Sequence, residues 1–350
     1  MVTIKDVAAR ANVSQATVSR VVNNTGQVTD ATRDRVARVI KELNYSPNPV
    51  ARSLANNSSN TIGLMISSFR GSFFGDLMAE VQEAIDIANK RLFVTQGRHS
   101  IESEREAIQH LITTRCDGII LHARYLCDEE IIAFSQQVTI ILLDRYIPSL
   151  QNFCITFDHV TASQKAVDQL ISHGHTRIAC ITGHLYRHKA CERYQGYVNS
   201  LSDHNIPVDG ELVVESEYDR QQGYEATKQL LSRGNPFTAV YCCSEELAAG
   251  CMDVFRELGI TVPDDISLIS YDSVDLCTFL TPHISAVHFP IAAMARQAGA
   301  LLLYHLDTES MEKPVRLAFE GELRLRPSIR FRKSTPAKPG RNTLSETDRS

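Results

Sequence analysis

A chain of 350 residues with 43% hydrophobic side chains is long enough for one small and one large domain, and too apolar for general disorder. Nine cysteines, odd in number and without a C-x-x-C spacing, fit neither a disulfide framework nor a zinc ribbon; no apolar run approaches the roughly 18 residues that cross a bilayer, and the opening MVTIKDVAAR is no export signal. The net charge of −5 argues weakly against nucleic acid, yet in residues 1–60 Lys5, Arg10, Arg20, Arg33, Arg35, Arg38, Lys41 and Arg52 outnumber Asp6, Asp30, Asp34 and Glu42, so a basic head sits on an acidic body, and phosphate attraction acts locally.

Thr3, with Asp6 three positions on, is a capping arrangement, and Ile4, Val7, Ala8 and Ala11 fall on one face of a first short helix. Asn12-Val13-Ser14 breaks that helix, and Ser14 caps a second one from about Gln15 to Asn23. Val18, Val21 and Val22 form its apolar stripe, while Gln15, Ala16, Ser19, Arg20 and Asn23 point outward without a carboxylate among them. Such a face enters a phosphate-lined groove without repulsion. Thr29 or Asp30 caps a third helix whose Val36, Val39, Ile40 and Leu43 complete a miniature core, which makes a helix-turn-helix.

Pro47 and Pro49 then oppose helix, and Val50 to Ala55 has good helix formers without the length to be stable alone, so this stretch is expected to fold on binding. From Thr61, the runs TIGLMIS, LFVTQ, GIILHA, VTIILLD and FCITF, and then RIACIT, LVVE, TAVYCC and ISLIS, alternate with amphipathic helical stretches. Alternation of this kind predicts doubly wound parallel sheets, and two series predict two lobes with a ligand cleft between them, beyond the carboxyl ends of the strands.

Neither G-x-G-x-x-G nor a phosphate-loop motif occurs, so no dinucleotide or NTP site is expected. His173-x-His175 lacks a third ligand at useful spacing, the adjacent pairs Glu245-Glu246 and Asp264-Asp265 diverge, and nothing resembles a nucleophile elbow. No metal, cofactor or enzymatic activity is expected. The stretch from about Phe331 reads as a disordered tail without a leucine heptad.

TIKDVAARANVSQATVSRVVNN, followed by VTDATRDRV and ELNYSPNPVARSLA, resembles the head of the lac/gal repressor family, and GHTRIACITG, ERYQGY, VPDDISLISYD and TPHISAVHFP resemble its periplasmic-binding-protein-like core. The resemblance implies an α helix-turn-helix head on a two-lobed α/β core. Its domains are a DNA-binding head at 1–45, a hinge at 46–60, an effector-binding and dimerisation domain at 61–330 with lobe crossings near 158–162 and 288–292, and a tail at 331–350. It also implies a cytoplasmic, nucleoid-associated homodimer that binds operator DNA, has no membrane partner, and represses a carbohydrate-utilisation operon until a sugar or phosphosugar binds. The alternative is a non-sugar effector or co-repression by the ligand.

Carried over by position, Gln15 and Ala16 read bases in the major groove, where Gln pairs with adenine and Ala touches a thymine methyl, and Arg20 makes a further base or phosphate contact. Thr3, Ile4, Ser14, Thr17, Ser19, Asn23, Tyr45 and Asn48 complete the head's DNA contacts, largely to phosphate. Leu54, with Ala51 and Arg52 beside it, matches the hinge leucine wedged into the minor groove. For the effector the resemblance implies Phe73 and Phe74 stacking on a sugar face, Phe157 and Asp158 at a strand end, and Arg193 and Asp272 as polar contacts. Ser244-Glu245 stands where many sugar-responsive members carry Asn-Asp, which reshapes the pocket. GRHSIESEREAI, CDGIILHAR and LDRY lean towards the gal and cryptic β-glucoside branch, and Arg124, Asp144 and Arg145 near strand ends admit an anionic sugar.

Overall fold

The computed structural model describes residues 2–22, 26–45, 58–69, 71–98, 100–272, 276–306 and 317–332, without the side chains of Ser72 and Asp272. The head is three helices: α1 (Ile4–Ala11), α2 (Gln15–Val22) and α3 (Asp30–Glu42). The Asp6 carboxylate accepts hydrogen bonds from the backbone N–H and the hydroxyl of Thr3, each 2.8 Å, which ties down the first turn. Asn12 ends α1 in the left-handed region at φ 51°, and the Ser14 hydroxyl accepts from the Thr17 N–H at 3.1 Å to start α2. Val7, Ala8, Ala11, Val18, Val36 and Val39 close into the head's core, with Ile4, Leu43 and Tyr45 packed at its edge.

The body contains two six-stranded sheets. One carries β1 (Thr61–Ile66), β2 (Arg91–Gln96), β3 (Gly118–Leu121), β4 (Thr139–Leu143), β5 (Cys154–Phe157) and the short β11 (Ala318–Phe319) in the order β11-β5-β4-β3-β1-β2, all parallel. The other carries β6 (Ile178–Gly183), β7 (Val213–Ser216), β8 (Ala239–Cys242), β9 (Ser267–Asp272), β10 (Ser285–His288) and β12 (Glu322–Arg324) in the order β12-β10-β9-β8-β6-β7, with only β12 antiparallel. Both sheets have buried strands with helices between them, the doubly wound arrangement. Among the helices, α4 (Ser72–Asp86), α5 (Ile101–Thr113) and α6 (Asp128–Ser135) join the strands of the first lobe. In the second lobe α7 (His159–Ser172), α8 (His188–Asp203), α9 (Arg220–Ser232), α10 (Glu245–Leu258) and the short α11 (Leu276–Phe279) do so. The long α12 (Ile291–Leu306) returns to the first lobe and packs on α4.

The chain passes between the sheets three times: after β5, after β10, and between β11 and β12. β10, β11 and β12 are absent from the strands the sequence suggests, because they are only four, two and three residues long and show no useful periodicity. The three passages touch at Gly321. A Cβ there would lie 2.6 Å from Val287, 2.8 Å from Ala162 and 3.2 Å from Phe157, one neighbour or more from each of the other two passages. Gly321→Ala is therefore expected to destabilise the body by about 1–3 kcal/mol through overpacking, read as a lower urea midpoint; an unchanged midpoint would show that the contact relaxes freely.

Candidate functional site

Two surfaces carry the residues singled out by sequence. On the head, Gln15, Ala16 and Arg20 are exposed on α2 and Thr3 is exposed ahead of α1, whereas Thr17, Ser19, Ile4 and Tyr45 are half-buried. Burial of Val18 fixes this orientation, since Val21 and Val22, three and four residues on, share the inward face, while Ala16 and Arg20, two residues to either side, point out. Ser14 is spent on its cap, with its hydroxyl 2.9 Å from that of Thr17. Asn23, Asn48, Ala51, Arg52 and Leu54 lie outside the described residues.

Between the lobes lies a cavity of about 1160 Å³, a size suited to a small organic ligand. Phe73, Phe74, Arg124, Asp144, Arg145, Arg193 and Ser244 all reach its wall. Phe73 and Phe74 start α4 edge to face, with centroids 5.0 Å apart, and Phe73 stacks on Phe289 at 5.9 Å. Together they make an apolar wall against which one face of a ring can lie.

Against them, with His159 and Phe289 centroids 5.3 Å apart, runs a polar chain that crosses the lobes. Asp144 directly follows β4 at φ 59° and is 7% exposed. Both its oxygens lie 3.1 Å from Nε2 of buried His159, the first residue of α7, and Nζ of Lys189 is 3.6 Å away. Arg193, on α8, donates through Nε to Nδ1 of His159 at 3.2 Å and through Nη1 to the Cys243 carbonyl. Its guanidinium stands 4.1 Å from the centre of the Tyr271 ring. Because Nδ1 accepts from Arg193, the imidazole is neutral and Nε2 donates to Asp144. Burial, ahead of the opposing pull of Asp144, holds the His159 pKa below its usual value. Burial also pushes the Asp144 carboxyl up, but Lys189 and His159 outweigh it and keep the group below the usual carboxylate range. His122, directly after β3, is pressed by burial and then by Arg124 to a pKa of about 3, and its Nδ1 has no hydrogen-bond partner among the described residues.

Two sequence-selected residues do not join this wall as anticipated. Phe157 ends β5 but turns into the core against Phe289, with centroids 4.7 Å apart, and Asp158 is exposed and accepts from the Thr161 N–H at 2.9 Å as the cap of α7. Neither lines the cavity, because the chain leaves the first sheet at that point. Asp272 ends β9, and its side chain lies outside what is described. Ser244 does line the cavity, but its hydroxyl accepts from the Leu247 N–H at 3.2 Å and so caps α10. His122, Lys189, Tyr218, Tyr271 and Phe289 were not singled out, although His122, Tyr218 and Tyr271 sit at or just past the carboxyl ends of strands, where ligands of such sheets bind. His175 is occupied elsewhere, with Nδ1 2.9 Å from the Thr238 hydroxyl and Nε2 3.1 Å from the Arg330 carbonyl.

Comparison with known proteins decides the kinship. Residues 3–48 match the model of bacterial regulatory proteins, lacI family, and residues 167–329 match that of a periplasmic binding protein-like domain. The HTH-type transcriptional regulator GalR of Escherichia coli K12 is 36% identical over 89% of this chain and 91% of its own length. The chain belongs to the lacI family. This lacI-family member also superimposes on the lac repressor dimer bound to operator and the anti-inducer ONPF, with a TM-score of 0.81 and 27% identity over 94% of this chain and 99% of that one. A sugar-binding lacI-family regulator from Escherichia coli complexed with phosphate gives a TM-score of 0.70 and 30% identity over 79% and 100%. The family and the relatives make this chain a transcriptional regulator with a helix-turn-helix head and a two-lobed ligand-binding body. Among the described residues no helix is long and apolar enough to cross a membrane.

Proposed function

We propose that this lacI-family regulator is a homodimeric, cytoplasmic repressor without enzymatic activity, which holds a near-palindromic operator until a sugar or phosphosugar enters the interlobe cavity. The observation that carries the reading is the combination of an exposed, carboxylate-free α2 with a cavity that pairs the Phe73/Phe74 wall with the Asp144–His159–Arg193 chain. An aromatic face beside directional polar groups suits a carbohydrate, which has one apolar face and a rim of hydroxyls. The relative crystallised with phosphate is named as sugar-binding, which favours the same class of ligand here.

In this reading residues 1–45 bind DNA, 46–60 form the hinge with Leu54 as wedge, 61–330 bind effector and dimerise, and 331–350 form a tail. Gln15, Ala16 and Arg20 read the operator, Thr3, Ile4, Ser14, Thr17, Ser19, Asn23, Tyr45 and Asn48 set its register, and Ala51 and Arg52 flank the wedge. Ligand bound across both lobes alters the angle between them, and so the pairing of the two hinges. Operator footprinting with and without a panel of hexoses and their 6-phosphates tests the switch; protection unaltered by every member of the panel sinks it. Gln15→Ala is expected to weaken operator binding by about 1–3 kcal/mol and to relax preference at one base pair of each half-site. A loss spread evenly over all sequences would place Gln15 on phosphate instead.

A further inference from the structure

Among the described residues, five cationic side chains other than histidine line the cavity, and four are accounted for. Arg145 pairs with Asp128 at 2.5 Å. Nη1 and Nη2 of Arg187 reach the two oxygens of Glu217 at 2.6 and 2.7 Å. Lys189 lies between Glu192 at 2.9 Å and Asp144, and Arg193 has the carbonyl, imidazole and ring contacts already described. Arg124 is different. Among the described residues its guanidinium makes no hydrogen bond and no ion pair, and its one ring contact is Phe74 at 5.9 Å.

The backbone that presents Arg124 is nevertheless fixed. Glu104, fully buried on α5, accepts hydrogen bonds from the N–H groups of Arg124, Tyr125 and Leu126 at 2.8, 3.0 and 3.1 Å. Three charge-assisted bonds lock the loop, so the guanidinium stands over a rigid base. Burial pulls its pKa down; Tyr218 works against that, and Arg193 and Arg187 add repulsion from the second lobe. The same wall holds further unused polar atoms: among the described residues, the Tyr218 hydroxyl, Nε of Arg187 and Nδ1 of His122 are all buried without a hydrogen-bond partner. Buried polar groups are rarely left unpaired, and here they accompany an uncompensated cation at one cavity.

We propose that the effector carries an oxyanion, a phosphate or a carboxylate, which is held between Arg124 of the first lobe and the Tyr218 hydroxyl and Arg187 Nε of the second. The inference rests on the reading of the cavity as the effector site and specifies its ligand by charge. All three groups are donors, so an oxygen-rich anion satisfies them together where a neutral hydroxyl satisfies one. The anion also turns repulsion between arginines of opposite lobes into attraction to a shared centre, which makes closure of the cleft depend on ligand charge.

The test is thermal melting of the full chain, titrated at constant ionic strength with inorganic phosphate, glucose 6-phosphate, glucuronate, glucose and galactose. A saturable rise in Tm is expected with at least one of the three anions, with apparent affinity reduced about tenfold or more in Arg124→Gln and several-fold in Tyr218→Phe. Tyr218→Phe removes only an unpaired hydroxyl and keeps the test open if Arg124→Gln does not fold. A response to glucose 6-phosphate alone assigns the anion as phosphate, and one to glucuronate alone assigns a carboxylate. The proposal is overturned if no anion gives a saturable shift, if a neutral hexose binds more tightly than its anionic derivative, or if the variants bind every ligand as the natural chain does. Operator footprinting on the same samples separates the two readings. A neutral hexose that releases operator sinks the charge assignment and leaves the effector site standing; an anion bound through Arg124 without change in protection sinks the switch alone.

Discussion

Arg193→Met is expected to cost about 100-fold or more in effector affinity and to leave the protein bound to its operator at ligand concentrations that release the natural chain. The side chain spends Nε on His159 and Nη1 on the Cys243 carbonyl, which, among the described residues, leaves Nη2 for the cavity it lines. A hydrogen bond to a charged group is worth about 1.5–3 kcal/mol, and two donors from Nη2 bring the loss to ~3 kcal/mol, or two decades. A second loss is structural, because methionine keeps the bulk over Tyr271 but leaves Nδ1 of His159 without its donor. The Asp144 carboxylate still holds the proton on Nε2, but the imidazole is anchored on one side only, so the chain between the lobes loosens as well. The full chain is expected to unfold at lower urea by the equivalent of ~1–3 kcal/mol per stranded acceptor. Titration of operator complexes with the panel of sugars, alongside urea curves, separates the two effects. Effector release indistinguishable from that of the natural chain would remove Arg193 from the site, whatever its stability.

Acid is expected to destabilise the body steeply, starting well above the usual carboxylate range. His122 titrates near 3 in the folded chain against 6.5 in the unfolded one, and burial lowers His159 in the same direction. Between those values the unfolded chain binds more protons than the folded one. The contribution of each buried imidazole is therefore complete above pH 6.5 and shrinks as pH falls, by about 1.4 kcal/mol per unit per group. His122 alone accounts for a fall of ~2–3 kcal/mol by pH 4.5, and His159 adds to it in the same direction. Asp144 adds a later loss, since a carboxyl held below its ordinary value stabilises above the unfolded pKa of 3.8 and ceases to do so as pH falls below it. Urea unfolding between pH 4.5 and 7.5 should show this slope, and His122→Asn should flatten it by about one proton's share. Parallel stability curves for the two proteins would mean that His122 does not titrate alone in that window.

Much of this was legible in local chemistry. The Thr3/Asp6 cap, the Asn12 turn and the inward Val18 are decisions made within a few residues, and the head follows from them. The alternation of apolar runs with amphipathic helices likewise predicts two doubly wound lobes, and the rule that ligands sit beyond strand ends places Arg124, Asp144 and Ser244. What was not legible is long-range. Lys189 and His159 reach the cavity wall or its polar chain only because the second lobe faces Asp144 of the first, and no spacing along the chain encodes that meeting. Phe157 and Asp158 failed for the converse reason. They sit at a strand end, but at the strand where the chain turns aside to the other lobe, so one became core and the other a helix cap. Tyr218 and Phe289 look like ordinary aromatic residues until the fold leaves one with an unpaired hydroxyl and the other stacked on Phe73.

The contact at Gly321 has a mechanical meaning. Three straps joined edge to edge resist stretching and sliding far better than one, because any translation of a lobe must shear all three against Val287, Ala162 and Phe157 at once. Twisting and bending about the common line of the straps strain each of them least. If the proposed effector site is right, ligand energy delivered at Arg193 or Arg124 would emerge chiefly as a change of angle between the lobes, the coordinate that a pair of DNA-reading heads would measure.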